Sequence, residues 1–449
     1  MSDNNTPSYI ADAKPAPQSA RAPWFKNTAP AYAGILLWFV FWSMITTNNL
    51  VNGLVVPIAG VVIGALVCHF LFYLPAGLFG MKTGLPLAVI GSSMFGEKGG
   101  IIMPGLLMGI LQFGWLAVNS IAASGIATTI GVPAWVVILV WGSAAVFIGL
   151  KGIKYVAGIS TYLPLVPLAI LIYLFCMTVG SAGDFDPELL KKLPKNPAPA
   201  TDNCSIIMGI VGAFVAFFAT AGAAGVNFGT GSRNAKDVQL GGLVGIAGAM
   251  IFTCVIAIVI LAGAYGNPAI AKEVATIGGE NVAATNIALL NAVVGGSWGE
   301  WLFFALAVAA FPSACFSSLI AADSFKTMLP KVNSTLSVTI AGAIAIAIAI
   351  IMQSDAGAIV KVLNFIGVSF GPICGAIFVE YFLCKGNWGG PRKSFNPAGW
   401  LAWAVGFVVG LLPTFGVCEI PMTTVITFAV GAVVYWVAML LGLKSANTK

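Results

Sequence analysis

Twelve apolar runs, each long enough to cross a bilayer, fill most of this chain and hold hardly a charge between them. A helix needs about 20 consecutive apolar residues to span the hydrocarbon core. The runs cover 32–54, 56–80, 101–127, 132–150, 155–180, 204–229, 239–264, 299–322, 334–352, 356–383, 399–417 and 421–443, and are taken here as spans 1 to 12. Composition agrees, because 8% of the residues are charged and 59% are hydrophobic, whereas a soluble domain carries about 25% charged residues. The fold class expected is an all-α membrane protein with twelve transmembrane helices.

Placing the N-terminus in the cytoplasm puts sixteen of the 21 Lys and Arg residues on the cytoplasmic side and four outside, with Lys361 inside a helix. That asymmetry follows the positive-inside rule. A miscounted helix would scramble it, so it supports the number of spans as well as the orientation. Both termini are then cytoplasmic, and the expected location is the inner (cytoplasmic) membrane. The chain divides into a polar tail over 1–30, one transporter-sized domain over 31–443 and a short tail over 444–449. The N-terminal tail lacks an apolar core of the kind a cleaved signal peptide has. Between spans 7 and 8, AATNIALLNAVVG is too short to cross and is expected at the membrane interface.

The net charge of +6 is scattered over short loops, so it makes no nucleic-acid patch. The eight cysteines show no CxxC spacing and suggest neither a disulfide framework nor a zinc site. The single histidine, His69, reads as structural. Lys361 and Glu380 lie toward opposite ends of span 10, where long side chains can reach water.

Polar and helix-weakening residues gather at one depth. The midplane lies roughly ten residues in from a helix end. Span 1 has Phe41-Trp42-Ser43 there, followed by Thr46, Thr47, Asn48 and Asn49. Span 3 has Gln112, Trp115 and Asn119. Span 6 has Phe218, Thr220, Ala221 and Gly222, and span 8 has Pro312, Ser313, Ser317 and Ser318. A membrane helix opens only where its freed backbone groups face protein or a water-filled cavity. Transporters place such breaks at matched positions of two repeats, around a midplane binding site. Spans 1 and 6 are five apart and enter from opposite sides, as two inverted five-helix repeats require, and both are expected to lose their regular winding halfway across the membrane. The glycines at 222, 225, 229 and 231 of span 6 weaken a helix, though taken alone they read better as close packing. Ser317 and Ser318 can bond their own helix backbone.

Gln112 and Trp115 are three apart and share a helix face. An unpaired amide in an apolar setting costs several kcal/mol, so Gln112 needs a partner on another helix or on a solute. An aromatic face beside amides suits a flat ring with donors and acceptors on its edge. No Asp, Glu, Lys or Arg lies at this depth, which points to a neutral solute.

The pieces PQSAR (17–21), KTGL (82–85), FGEKG (95–99), QFGW (112–115), SRNAK (232–236) and TLSV (335–338) run through most of the chain. In these the chain resembles the nucleobase–cation symporter family, and within it bacterial cytosine permeases. The resemblance implies two inverted five-helix repeats, about 31–181 and 203–383, plus two further helices over 399–443, the LeuT-like architecture. It implies uptake of a nucleobase coupled to sodium or protons. Trp115 would stack on the base, Gln112 would bond its edge and Phe218 would close the opposite face. Thr220 and Ala221 would add contacts at the weakened part of span 6. Asn119, Phe41 and Ser318 complete the expected substrate set. A sodium ion would sit between Leu37 and Val40 of span 1 and Ala309, Pro312 and Ser313 of span 8.

The activity expected is therefore secondary active import of cytosine or a related planar heterocycle. Purines, hydantoin or allantoin, and pyrimidine vitamin precursors are the other substrates weighed. No organic cofactor is expected, and no partner beyond the small solute, the coupling ion and the lipid bilayer. GxxxxGK[ST] is missing, which argues against ATP-driven transport. No filter-like loop suggests a channel. No His/Asp/Glu cluster or HExxH suggests an enzyme.

Overall fold

The computed structural model describes residues 6–152, 163, 165–191, 202–277, 281–355 and 357–448. Most of the first half of span 5, along with Lys154, Lys192 and Lys195, falls outside the described residues. Among the described residues there is no strand, and ten helices are long and apolar enough to cross a membrane. They are Val55–Thr83, Ile101–Ile130, Ala134–Lys151, Leu165–Asp184, Asn203–Ala223, Ala235–Gly266, Trp298–Met328, Ser334–Met352, Ala358–Leu383 and Thr423–Leu440. These correspond to spans 2 to 10 and 12. Span 11 is the shorter apolar helix Pro397–Leu411, and span 1 is not one helix at all.

Span 1 starts earlier than expected, as the helix Thr28–Leu36. It breaks at Trp38, whose φ of −60° and ψ of 131° are extended, and resumes for one turn as Phe39–Trp42. The local sequence Leu-Leu-Trp-Phe-Val-Phe-Trp is rich in aromatic and β-branched side chains, which lose rotamer freedom in a helix. The freed backbone finds partners nearby, as membrane depth demands. Trp42 Nε1 donates across the break to the Leu37 carbonyl (3.3 Å), and Ser43 Oγ donates to that of Val40 (2.9 Å). A short 3-10 turn, Thr47–Leu50, follows behind a Thr46–Asn49 capping box.

Span 6 differs from expectation. The helix Asn203–Ala223 passes into Gly225–Thr230 with only Ala224 between them, and Ala224 is still helical in φ and ψ. Its N–H donates to Thr220 O (2.9 Å), and its carbonyl accepts from Phe228 N–H (3.1 Å). The helix therefore does not unwind. Its glycines serve packing instead: a Cβ on Gly222 would meet Phe72, one on Gly225 would meet Tyr73, and one on Gly229 would run into the Gly77 carbonyl. Spans 2 and 6 thus touch backbone to backbone. Span 2 also carries a π-helical turn, Cys68–Tyr73. His69 lies in it, fully buried between Phe70 and Tyr73 and against Gly242 of span 7.

The ends of the spans are tied down. Tyr9 OH donates to Glu97 O (2.7 Å), Arg21 to Met81 O (2.9 Å), and Trp24 N–H to Asp237 (3.1 Å), so the N-terminal tail lies across one face of the bundle. On the opposite face the short helix Ile287–Val294 buries Leu289 and Leu290. Thr47 pairs with Val282 in that same connection, through its N–H (2.9 Å) and its hydroxyl (3.0 Å).

Lys361 does reach the exterior of the protein, paired with Asp355 at 2.5 Å. Glu380 does not, which corrects the expectation that it snorkels: it is 0% exposed and accepts from Tyr435 OH of span 12 (2.9 Å). Its side chain is too short to pass the helix that covers it. Tyr435→Phe removes that donor and leaves a buried carboxyl unsatisfied, a loss of about 1–3 kcal/mol. The expected result is a lowered melting temperature of the purified protein in detergent, with Glu380→Gln recovering part of the drop.

Candidate substrate site

Helix geometry sets the site. Taking Trp115 as the reference direction of span 3 and about 100° per residue, Asn119 and Gln112 fall to one side within about 60°. Trp115 meets three side chains from two other spans. Its Nε1 donates to Thr220 Oγ1 of span 6 (3.2 Å). Phe217 stands edge-on to it at 4.8 Å between ring centroids, and Trp38, at the break of span 1, lies 6.1 Å away. Trp38 and Phe217 complete the triangle at 5.9 Å. The break in span 1, the weakened stretch of span 6 and the polar face of span 3 therefore meet at one place. All of these side chains are buried, with Trp115 the most exposed at 9%, so entry of a solute requires movement of the walls.

The polar edge is under-satisfied. Asn119 is fully buried and its Nδ2 donates to Trp115 O (2.8 Å), but its Oδ1 has no partner among the described residues. Trp38 Nε1 is likewise buried without an acceptor. Gln112 Nε2 reaches only the Met108 thioether (3.7 Å), a weak acceptor. Buried polar groups are nearly always paired, so orphans of this kind call for an explanation. The three ion pairs among the described residues, Lys191–Glu188, Arg233–Asp237 and Lys361–Asp355, all lie at span ends or in loops, away from Trp115.

Three expected residues, Phe218, Phe41 and Ser318, are turned elsewhere. The ring facing Trp115 is Phe217; Phe218 packs on Tyr32 at 5.7 Å. Adjacent helix residues diverge by about 100°, so only one of the pair can face span 3. Ala221, one turn beyond Phe217 on nearly the same helix face, accepts at its backbone carbonyl from the Tyr32 hydroxyl (2.7 Å). Phe41 packs on Phe214 (4.8 Å) and Phe217 (5.0 Å) and is screened from Trp115 by the latter. Ser318 bonds Ala314 O in its own helix (3.3 Å) and lies against Gly149 of span 4.

Trp38 and Phe217, the rings that stand against Trp115, are not among the residues expected from the sequence. Span 1 begins four residues before the expected start, so ten residues in falls at Trp38 rather than at Phe41–Ser43. The glycine spacing of span 6 held the signal for Phe217: once Gly222 and Gly225 face span 2, the opposite side of the helix is fixed.

Around the expected ion site, Leu37 and Val40 flank the break of span 1, and both carbonyls keep a second lone pair. Ala309, Pro312 and Ser313 lie within the unbroken helix Trp298–Met328. Pro312 has no N–H, which frees the Val308 carbonyl four residues back. Spans 1 and 8 meet at Phe39 and Phe303 (5.8 Å). Among the described residues no hydrogen bond joins the two expected halves of the site, and no group of three His, Cys, Asp or Glu could hold a metal. A groove of about 470 Å³ lies elsewhere, between Ile126, Val137, Trp141, Val308 and Phe311. Its walls are aliphatic and aromatic and suit lipid tails better than a polar ring.

An all-helical membrane protein with a broken span 1 and an aromatic site at the crossing of spans 1, 3 and 6 has the architecture of a LeuT-like secondary transporter. Solved structures with this fold include Mhp1, a nucleobase-cation-symport-1 family transporter, in a closed conformation with bromovinylhydantoin bound: 18% identity, 99% of this chain and 97% of that one, TM-score 0.58. The inward-facing conformation of Mhp1 matches at 14% identity, over 97% and 96% of the two chains, with a TM-score of 0.65. A Na+-coupled sialic acid symporter matches at 14% identity, over 100% and 94%, with a TM-score of 0.62. No curated protein matches the chain. The family model of permeases for cytosine/purines, uracil, thiamine and allantoin matches residues 15–438. The chain belongs to that family of permeases.

Proposed function

We propose that the protein imports a neutral planar heterocycle, cytosine or a close relative, together with a sodium ion or proton. The observation that carries this reading is the Trp115 indole at the meeting of three spans, flanked by the amides of Gln112 and Asn119 and remote from the three ion pairs seen among the described residues. A flat ring gains aromatic contact from Trp115 and a hydrogen-bonded edge from the amides. A net charge would find no counter-ion there. Hydantoins are the second substrate class, favoured by the structure of Mhp1 with bromovinylhydantoin bound. The repeats are assigned to about 31–181 and 203–383, both termini to the cytoplasm and the protein to the inner membrane. The Lys and Arg asymmetry of the loops supports that orientation.

The test is a thermal-shift screen of nucleobases and hydantoins on purified protein, followed by uptake into proteoliposomes. A ligand that binds only the folded state raises its apparent stability. Saturable uptake that follows an imposed ion gradient is the expected result. Passive flux that does not saturate would rule out a carrier. A membrane potential of 100 mV supplies about 2.3 kcal/mol per charge, enough for roughly fifty-fold accumulation.

Sodium is assigned to carbonyls of Leu37, Val40, Ala309 and Pro312 with the Ser313 hydroxyl, oxygen donors of the kind such carriers use. Ser313→Ala is expected to raise the sodium concentration needed for half-maximal solute binding by about tenfold, which is near 1.4 kcal/mol. If sodium has no effect on binding by the unaltered protein, the sodium assignment falls.

A further inference from the structure

Two orphaned atoms of opposite character flank Trp115. One is the Trp38 indole N–H, a donor in a side chain 5% exposed; the other is Asn119 Oδ1, an acceptor in a side chain 0% exposed. Among the described residues neither atom has a hydrogen-bond partner. The ring neighbours of Trp38 are Phe39, Trp115 and Phe217, which offer only aromatic faces, and such faces accept an N–H weakly. Asn119 is held in place by its own Nδ2, which bonds Trp115 O (2.8 Å), so Oδ1 cannot swap with it without losing that bond. Trp38 is also the residue at which span 1 leaves the helical conformation (ψ 131°), a local cost that places an indole where a helix would have carried it elsewhere.

We propose that Trp38 reads the substrate: its N–H donates to a carbonyl of the bound ring while Asn119 Oδ1 accepts from a ring N–H. The solute is then a cyclic amide or urea, presenting both groups on its edge. An indole can only donate and the free amide oxygen can only accept. A ring lacking either group leaves a buried atom unpaired, which is how polar sites reject close analogues. The inference rests on the reading above, in which the solute sits against Trp115. It adds the residue of span 1 that selects the solute and the functional groups it selects.

The test is a chemical double-mutant cycle on the full-length purified protein. Dissociation constants are measured for cytosine, uracil and hydantoin and for 2-thiocytosine, 2-thiouracil and 2-thiohydantoin. Sulfur replaces the single carbonyl oxygen of cytosine with a poor acceptor at nearly the same shape; uracil and hydantoin carry two carbonyls, so their 4-thio isomers are measured beside the 2-thio ones and the weaker of the two is compared. Against the unaltered protein the thio ring is expected to bind about tenfold more weakly, the equivalent of one hydrogen bond. Against Trp38→Phe the oxo and thio rings are expected to differ by less than about twofold. Asn119→Leu should weaken both rings together and leave their ratio unchanged. An oxo-to-thio ratio that Trp38→Phe leaves intact would overturn the proposal, and so would a ratio abolished by Asn119→Leu instead. Should Trp38→Phe fail to fold, a ratio near one in the unaltered protein refutes the proposal alone. Rings that bind, and lose binding in Trp115→Ala, keep the functional reading even when this inference falls. If none of the oxo rings binds the unaltered protein, both fall.

Discussion

Trp115→Ala is expected to abolish solute binding and uptake in a protein that still folds. The indole joins spans 1, 3 and 6: it belongs to span 3, lies 6.1 Å from Trp38, and stands at 4.8 Å from Phe217 while donating to Thr220. Truncation removes the aromatic wall and leaves the Thr220 hydroxyl without its donor. Buried aromatic anchors in binding sites cost 2–4 kcal/mol or more when cut to alanine, so affinity should fall by roughly 100-fold or beyond. The same truncation opens a cavity, which in a packed core costs about 3–5 kcal/mol. Melting temperature and a monodisperse elution profile therefore have to be read beside binding. Trp115→Phe keeps most of the packing and should retain the fold with intermediate affinity. Unaltered affinity in a folded Trp115→Ala protein would move the site elsewhere.

Gly80→Leu should prevent the protein from accumulating in folded form. Spans 2 and 6 approach so closely that a Cβ on Gly80 would run into the Val226 carbonyl, as one on Gly229 would into that of Gly77. Where an added methylene meets a side chain, rotamers can yield, and overpacking costs about 1–3 kcal/mol. Here it meets backbone, and only separation of the two helices relieves it. That separation also loosens Gly225 from Tyr73 and Gly222 from Phe72 along the same contact. Against a total stability of about 5–15 kcal/mol, the loss is large. Gly209→Ala is the control on span 6, because nothing lies within 4 Å of its built Cβ. Its yield and melting temperature should match the unaltered protein. A well-folded, fully stable Gly80→Leu protein would show that the helices do not pack this way.

These two residues also show what was readable in advance. QFGW in an apolar run marked Trp115 and Gln112, because a buried amide needs a partner, on another helix or on a solute. The glycines of span 6 were ambiguous between packing and opening, and the sequence holds no term that separates them. The partner surface of span 2 decides it, and that surface becomes adjacent only on folding. The same limit explains Phe217 and Phe218. Both are aromatic and at the right depth, and only the rotation of span 6 against span 2 says which one meets Trp115. Glu380 looked like a residue near water until span 12 proved to cover it.

The sequence by itself determined that the chain is a multi-pass membrane protein, and in which of its runs polar residues gather. Those follow from run length, charge and hydropathy, which act locally along the chain. Only the tertiary structure decided which faces meet, that span 1 opens and span 6 does not, and that Trp38 stands against Trp115. Helix rotation and breakage in lipid are set by close packing and by where freed backbone groups find partners, and those partners come from other spans.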